Sequence, residues 1–138
     1  MHLRDFGKQV RIRAGAYLLS MQLRRFTRRK EVVGFSGAVR IGILYEAVSR
    51  KNYEAVKEYV RRIRAGMKEV QALGFIDTRK VPSDRLVKLG MDFFTRNHLN
   101  WCYIPSGIVT ENFIEEEFDI LIALNFSPCF PIEYLTAF

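Results

Sequence analysis

Little in this chain marks it for chemistry on its own. Its 138 residues include two cysteines, two histidines and four prolines. Cys102 and Cys129 stand 27 positions apart, with no CxxC and no clustered histidine. That spacing excludes a zinc ribbon or a dithiol redox motif and points to a reducing compartment with two small core residues. No apolar run approaches the roughly 18 residues needed to cross a bilayer, and the expected location is the cytoplasm. Glycine is missing where a phosphate loop would need it. The first predicted strand runs into Tyr45-Glu46-Ala47-Val48-Ser49-Arg50, without GxGxxG or GxxxxGK[ST]. Bulky side chains there keep backbone N–H groups away from a pyrophosphate, which argues against dinucleotide and P-loop binding. His98 has no serine elbow, Cys–His pair or HExxH around it and reads as a loop histidine. No catalytic residue, cofactor or metal is assigned from the sequence. With 49% hydrophobic and 27% charged residues the chain is neither disordered nor fibrous, and its length suits one globular unit.

What the sequence does have is charge, unevenly spread. Residues 1–40 carry ten Lys and Arg against Asp5 and Glu31, a net of +8. The other 98 residues carry 12 basic and 13 acidic groups, a net of −1. The sequence pI near 9.7 therefore belongs to the N-terminal segment. Asymmetry of this kind points to nucleic acid or another anionic surface. The spacing predicts a helix over residues 3–30, without proline and rich in helix formers. At 100° per residue it carries two apolar stripes. Leu3, Phe6, Val10, Ala14, Tyr17, Leu18 and Met21 form one; Ile12, Ala16, Leu19, Leu23 and Phe26 form the other. A surface helix needs only one such stripe, so the second implies another partner besides the body. Part of the basic cluster at the helix end also suits the macrodipole. Charge follows the apolar stretch rather than preceding it, unlike a secretory signal.

From residue 39 the pattern becomes a β/α alternation. Residues 39–45 and 69–76 read as strands joined by a helix over residues 50–65, with Ser49 as N-cap and Gly66 as stop. The inward face of that helix is Tyr53, Val56, Tyr59 or Val60, and Ile63. A helical turn is expected over residues 82–89 and a third strand over 91–95. A short helix over 109–117 and a fourth strand over 119–126 follow. The apolar character of the fourth strand suggests a central place. Trp101, Cys102 and Tyr103 are expected to pack under their loop, and a last helix starts at Ile132. The expected fold is α/β: a small three-layer Rossmann-like domain with a mainly parallel sheet of about four strands, preceded by a long basic helix. Residues 1–37 form the helix and linker, and residues 38–138 the α/β domain. The apolar finish at Phe138 suggests that a further element follows.

The order of segments also resembles a family of uncharacterised bacterial proteins of Bacteroidetes type. The likeness is carried by Ile41–Leu44 ("IGIL"), Leu73-Gly74-Phe75 ("LGF"), Asp92-Phe93-Phe94-Thr95 with Leu99-Asn100-Trp101, and residues 116–122 with Phe130-Pro131. The resemblance implies a basic N-terminal helix and a Rossmann-like core, and no catalytic residue. A weaker likeness of the Phe118-Asp119 strand is to sugar-nucleotide glycosyltransferases.

One crevice and one basic segment compete for attention. Strand C-termini are where open α/β sheets bind ligands, and there the chain has Glu46, Asp77, Thr95 or Arg96, Asn125 and Ser127. Glu46, Asp77, Asn125 and Ser127 would suit a fragment of a nucleotide- or sugar-binding enzyme. The leading expectation is instead a non-enzymatic RNA- or ribosome-associated protein whose body docks on a partner. Arg24, Arg25, Arg28, Arg29 and Lys30 would contact phosphates, with Arg11 and Arg13 in support, since arginine suits bidentate phosphate contacts. A protein partner held by the N-terminal helix, or an anionic membrane surface under a membrane-associated complex, is the alternative.

Overall fold

Apolar, β-branched stretches separated by helical ones build a four-stranded, wholly parallel sheet with helices on both faces. The computed structural model describes residues 3–25, 34–47, 49–79, 90–124 and 129–137. The elements in chain order are α1 (Leu3–Arg25), β1 (Arg40–Glu46), α2 (Arg50–Ala65), β2 (Glu69–Ile76), β3 (Met91–Thr95), α3 (Ile108–Glu115), β4 (Ile120–Leu124) and α4 (Phe130–Thr136). The strand order is β3-β2-β1-β4. Ile43 of β1 lies opposite Ala72 on one side and Ile122 on the other.

Period-two alternation splits the core into two layers. Ile41, Ile43, Tyr45, Val70, Ala72, Ile76 and Phe93 face α2, whose Tyr53, Val56, Val60 and Ile63 are buried against them. Tyr59 is on the exposed flank. Leu44, Leu73, Phe75 and Phe94 face the other way, onto Phe113 of α3 and Ile132 and Leu135 of α4. Gly74 is required by this packing: a β-carbon there would stand 2.7 Å from the Tyr45 ring, which fills its place.

Local signals act as expected at α2. The Ser49 side chain accepts from the Asn52 amide at 3.2 Å, and Gly66 closes the helix with its amide on the Ile63 carbonyl. The left-handed residue of that turn is Met67 (φ 60°), which is almost fully exposed. Glu58 collects both Arg61 and Arg62, which hold its carboxyl down to about 2. At the start of β1, the Asp119 carboxylate accepts from the Val39 and Arg40 amides at 2.7 and 2.9 Å, and these bonds hold it below the usual carboxylate range.

One placement differs from the sequence reading. β4 is an edge strand, not a central one. Ile122 and Leu124 pack on the α2-side core and Leu121 on the other. Apolar composition reports that both faces are covered, and it is silent about how many lateral neighbours a strand has. The turn expected over residues 82–89 lies outside the described residues. Among the described residues no helix is long and apolar enough to cross a membrane.

Candidate anion crevice

The loops that leave β2 and β3 are tied to each other. The Arg96 amide donates to the Thr78 carbonyl at 2.9 Å, and the Asn97 side-chain amide donates to the Arg79 carbonyl at 2.6 Å. Thr95 and His98 form a reciprocal cap on the turn Arg96–His98, with the Thr95 amide donating to His98 Nδ1 at 3.0 Å. His98 is thus occupied in holding a turn. The chain then bends through a tight loop in which Asn100 Oδ1 accepts from the Cys102 and Ile104 amides. Tyr103 sits in left-handed backbone (φ 60°), which is uncommon for a non-glycine residue. Contrary to the sequence expectation, Trp101 is 62% exposed on this loop.

Helix α1 comes to rest on that loop, backbone against backbone. Gly15 is buried, and a β-carbon there would overlap the Cys102 carbonyl oxygen and stand 2.9 Å from the Phe130 ring. This contact brings Arg11 to the loop. Its Nε donates to the Trp101 carbonyl at 2.6 Å, and its guanidinium lies 4.7 Å from the Tyr103 ring centroid. Lys8 lies over the same ring at 5.7 Å.

A crevice of about 330 Å³ results, lined by Arg11, Arg79, Arg96, Asn97, Leu99 and Tyr103. It lies at the C-terminal ends of β2 and β3, the edge where open parallel sheets bind ligands. Asp77 is the carboxylate at this edge, bonded to Arg96 Nε at 2.5 Å. Arg96 foremost, and Lys8 at longer range, hold its carboxyl below the usual range, and Asp77 in turn raises Arg96. Among the described residues, Arg11, Arg79 and Arg96 line the crevice, Lys8 lies over its Tyr103 ring and Asp77 is bonded to its Arg96, four cations to one carboxylate, a net of +3. By contrast, the hollow of about 840 Å³ at the N-terminal edge is balanced: Arg40, Arg64 and Lys68 face Glu69, Asp92 and Glu116. There Arg40 is paired with Glu69 and Glu116, and Arg64 reaches the Val70 carbonyl.

The residues singled out from sequence divide accordingly. Arg11 is in the crevice and Arg13 is exposed on α1. Arg24 and Arg25 end α1, while Arg28, Arg29 and Lys30 lie outside the described residues. Glu46 and Asp77 stand at the same sheet edge; Asp77 is engaged by Arg96, and the crevice beside it is basic. Asn125 and Ser127 lie outside the described residues, and among those described no His, Cys, Asp and Glu cluster could hold a metal ion. Lys8 and Arg79 are not signalled by the sequence, and Arg96 only as a strand-end residue. All three are cations scattered along the chain.

The two stripes of α1 have different fates. Ile12 and Leu19 are half-buried on the body side with Gly15, whereas Phe6, Val10, Tyr17, Leu18 and Met21 are exposed. The two cysteines differ as well. Cys129 is buried and Cys102 only partly so. Burial foremost, with Glu46, Asp77 and Glu133 adding, pushes the Cys129 thiol up to about 11. At pH 8 about one thiol in a thousand would then be thiolate. Short treatment of the native protein with iodoacetamide at pH 8 is expected to label Cys102 well before Cys129, read by peptide mass spectrometry. Equal labelling would show that Cys129 is not held in the core.

Fold and site together define a three-layer, Rossmann-like α/β protein with an arginine-lined crevice at the strand ends. The chain belongs to the family described as a family of unknown function, DUF6913, whose match spans residues 16–138. No curated protein and no solved structure matches it.

Proposed function

We propose that this protein is a non-enzymatic RNA-binding protein that holds phosphates at the strand-end crevice and along its basic N-terminal segment. The observation that carries this reading is the convergence of Lys8, Arg11, Arg79 and Arg96, from three separate parts of the chain, around a single carboxylate. Four cations gathered around one carboxylate repel one another, and a bound anion would relieve that repulsion. The sequence adds a second group of cations, Arg24, Arg25, Arg28, Arg29 and Lys30, within the +8 of residues 1–40. The partner on which the α/β body docks would be the ribosome or another RNA-bearing assembly of the cytoplasm.

Binding of a 12-nucleotide single-stranded RNA across a salt series tests this. With about four phosphates neutralised by the crevice and the N-terminal segment together, log affinity should fall against log salt with a slope of about −3. Reversing Arg24, Arg25, Arg28, Arg29 and Lys30 should make that slope shallower than in the unaltered protein. Salt-independent binding, or binding untouched by the reversal, would reject the reading. The exposed stripe of α1 favours a second one, a membrane-associated complex in which Phe6, Tyr17 and Leu18 enter an anionic lipid surface. Flotation of the whole chain with anionic vesicles but not with neutral ones, in the absence of RNA affinity, would support it.

A further inference from the structure

Resting on the RNA reading, we infer that the crevice receives a terminal phosphate, a phosphomonoester dianion, and that Trp101 stacks the base beside it. Charge is the first argument. An internal phosphodiester brings one negative charge to a site of +3, whereas a monoester brings nearly two at pH 7 and three terminal oxygens instead of two.

The second argument is how the guanidinium groups are held. Among the described residues, Arg11 is fixed through Nε on the Trp101 carbonyl and Arg96 through Nε on Asp77. In both, the bond sets the plane of the group and leaves the two terminal nitrogens as a fork. Two oriented forks at one crevice match an anion with several exposed oxygens better than a chain passing through. Lysines in the same places would lack this planar geometry. A volume of about 330 Å³ is at the small end for ligand sites, enough for one nucleotide end.

The third argument is the loop. The residue whose carbonyl anchors Arg11 also carries the exposed indole. The loop is held by Asn100, by the pairing of Leu99 with Pro105 and by the left-handed Tyr103. Left-handed backbone at a bulky residue costs free energy and concentrates at binding sites. An exposed indole on the residue whose carbonyl anchors an arginine of the crevice is suited to stack an unpaired base leaving that crevice.

Trp101 is the single tryptophan of the chain, so a change in fluorescence reports on the loop that anchors Arg11. The full-length protein is titrated with one 8-nucleotide RNA in three forms: 5′-phosphate, 3′-phosphate and hydroxyl at both ends. Adenosine monophosphate and inorganic phosphate form separate arms. The expected result is that a phosphate-ended RNA binds about tenfold tighter than the hydroxyl-ended one and quenches Trp101. Arg79→Gln, which removes no hydrogen bond shown among the described residues, should shrink that preference to about twofold or less, as should Arg96→Gln. Equal affinity for phosphate- and hydroxyl-ended RNA would overturn the inference and leave the RNA reading standing. Quenching by adenosine monophosphate without affinity for any RNA would keep the monoester site and overturn the RNA reading. Absence of binding in every arm would overturn both.

Discussion

Gly15→Ala is expected to loosen α1 from the body even though it strengthens the helix itself. In an isolated helix the change should stabilise by up to about 1 kcal/mol, because alanine loses less backbone entropy than glycine. In the folded protein the new methyl group overlaps the Cys102 carbonyl oxygen and crowds the Phe130 ring. Neither yields as the tip of a long flexible side chain would. The carbonyl belongs to a loop pinned by Asn100, and Phe130 begins α4. Overpacking of this kind costs about 1–3 kcal/mol, so docking loses more than the helix gains. Lys8 and Arg11 should then leave the Tyr103 ring, and two of the four crevice cations go with them. For single-stranded RNA the loss of one phosphate contact amounts to about a fivefold weaker complex near 0.1 M salt. Gly7→Ala is the matched control, since a β-carbon there meets nothing within 4 Å. Amide exchange of α1 should speed up in the first variant and slow in the second. Equal protection in both would refute the close approach at Gly15.

Phe94→Ala should cost about 3–5 kcal/mol, a large share of the roughly 5–15 kcal/mol that holds a domain of this size together. Phe94 is fully buried, its ring 5.0 Å from that of Phe75, within the layer that includes Leu44, Leu73, Phe113 and Ile132. β3 is an edge strand, hydrogen-bonded among the described residues to β2 alone of the strands. A urea transition with a lower midpoint and an unchanged slope would report it. A cost under about 1 kcal/mol would mean that the cavity closes or that this layer is loosely packed. Trp101→Ala, which removes an exposed ring, should change stability by no more than about 0.5 kcal/mol.

Where periodicity and capping agree, the sequence was readable to the residue. The bounds of α2, β2 and β3 coincide with those expected, because Ser49, Gly66 and the alternating apolar faces all point the same way. β4 was recognised as a strand and misplaced within the sheet, since cover from two helical layers selects the same side chains at an edge as at the centre. The crevice was the least legible. Acidic residues near strand ends drew attention to Glu46 and Asp77, and nothing local says that Asp77 is claimed by Arg96, nineteen residues away. Nor does any local pattern show that Arg11 reaches a carbonyl 90 residues further on. The exposure of Trp101 was misread for a related reason. Its neighbours Ile104 and Cys102 supply the apolar cover beneath the loop, which leaves the indole outside.

The contact of Gly15 with the loop makes α1 a wall of the crevice that is not built into the sheet. Occupancy and docking are then a single thermodynamic cycle. A ligand that bridges Arg11 to Arg79 and Arg96 holds the helix down, by about 2.7 kcal/mol when present at a hundred times its dissociation constant. Reciprocity follows: any partner that grips Phe6, Val10, Tyr17 and Met21 and favours the seated helix must raise affinity in the crevice by the same factor. A partner that draws the helix away must lower it equally, so the outer stripe can set the tension on a site it never touches.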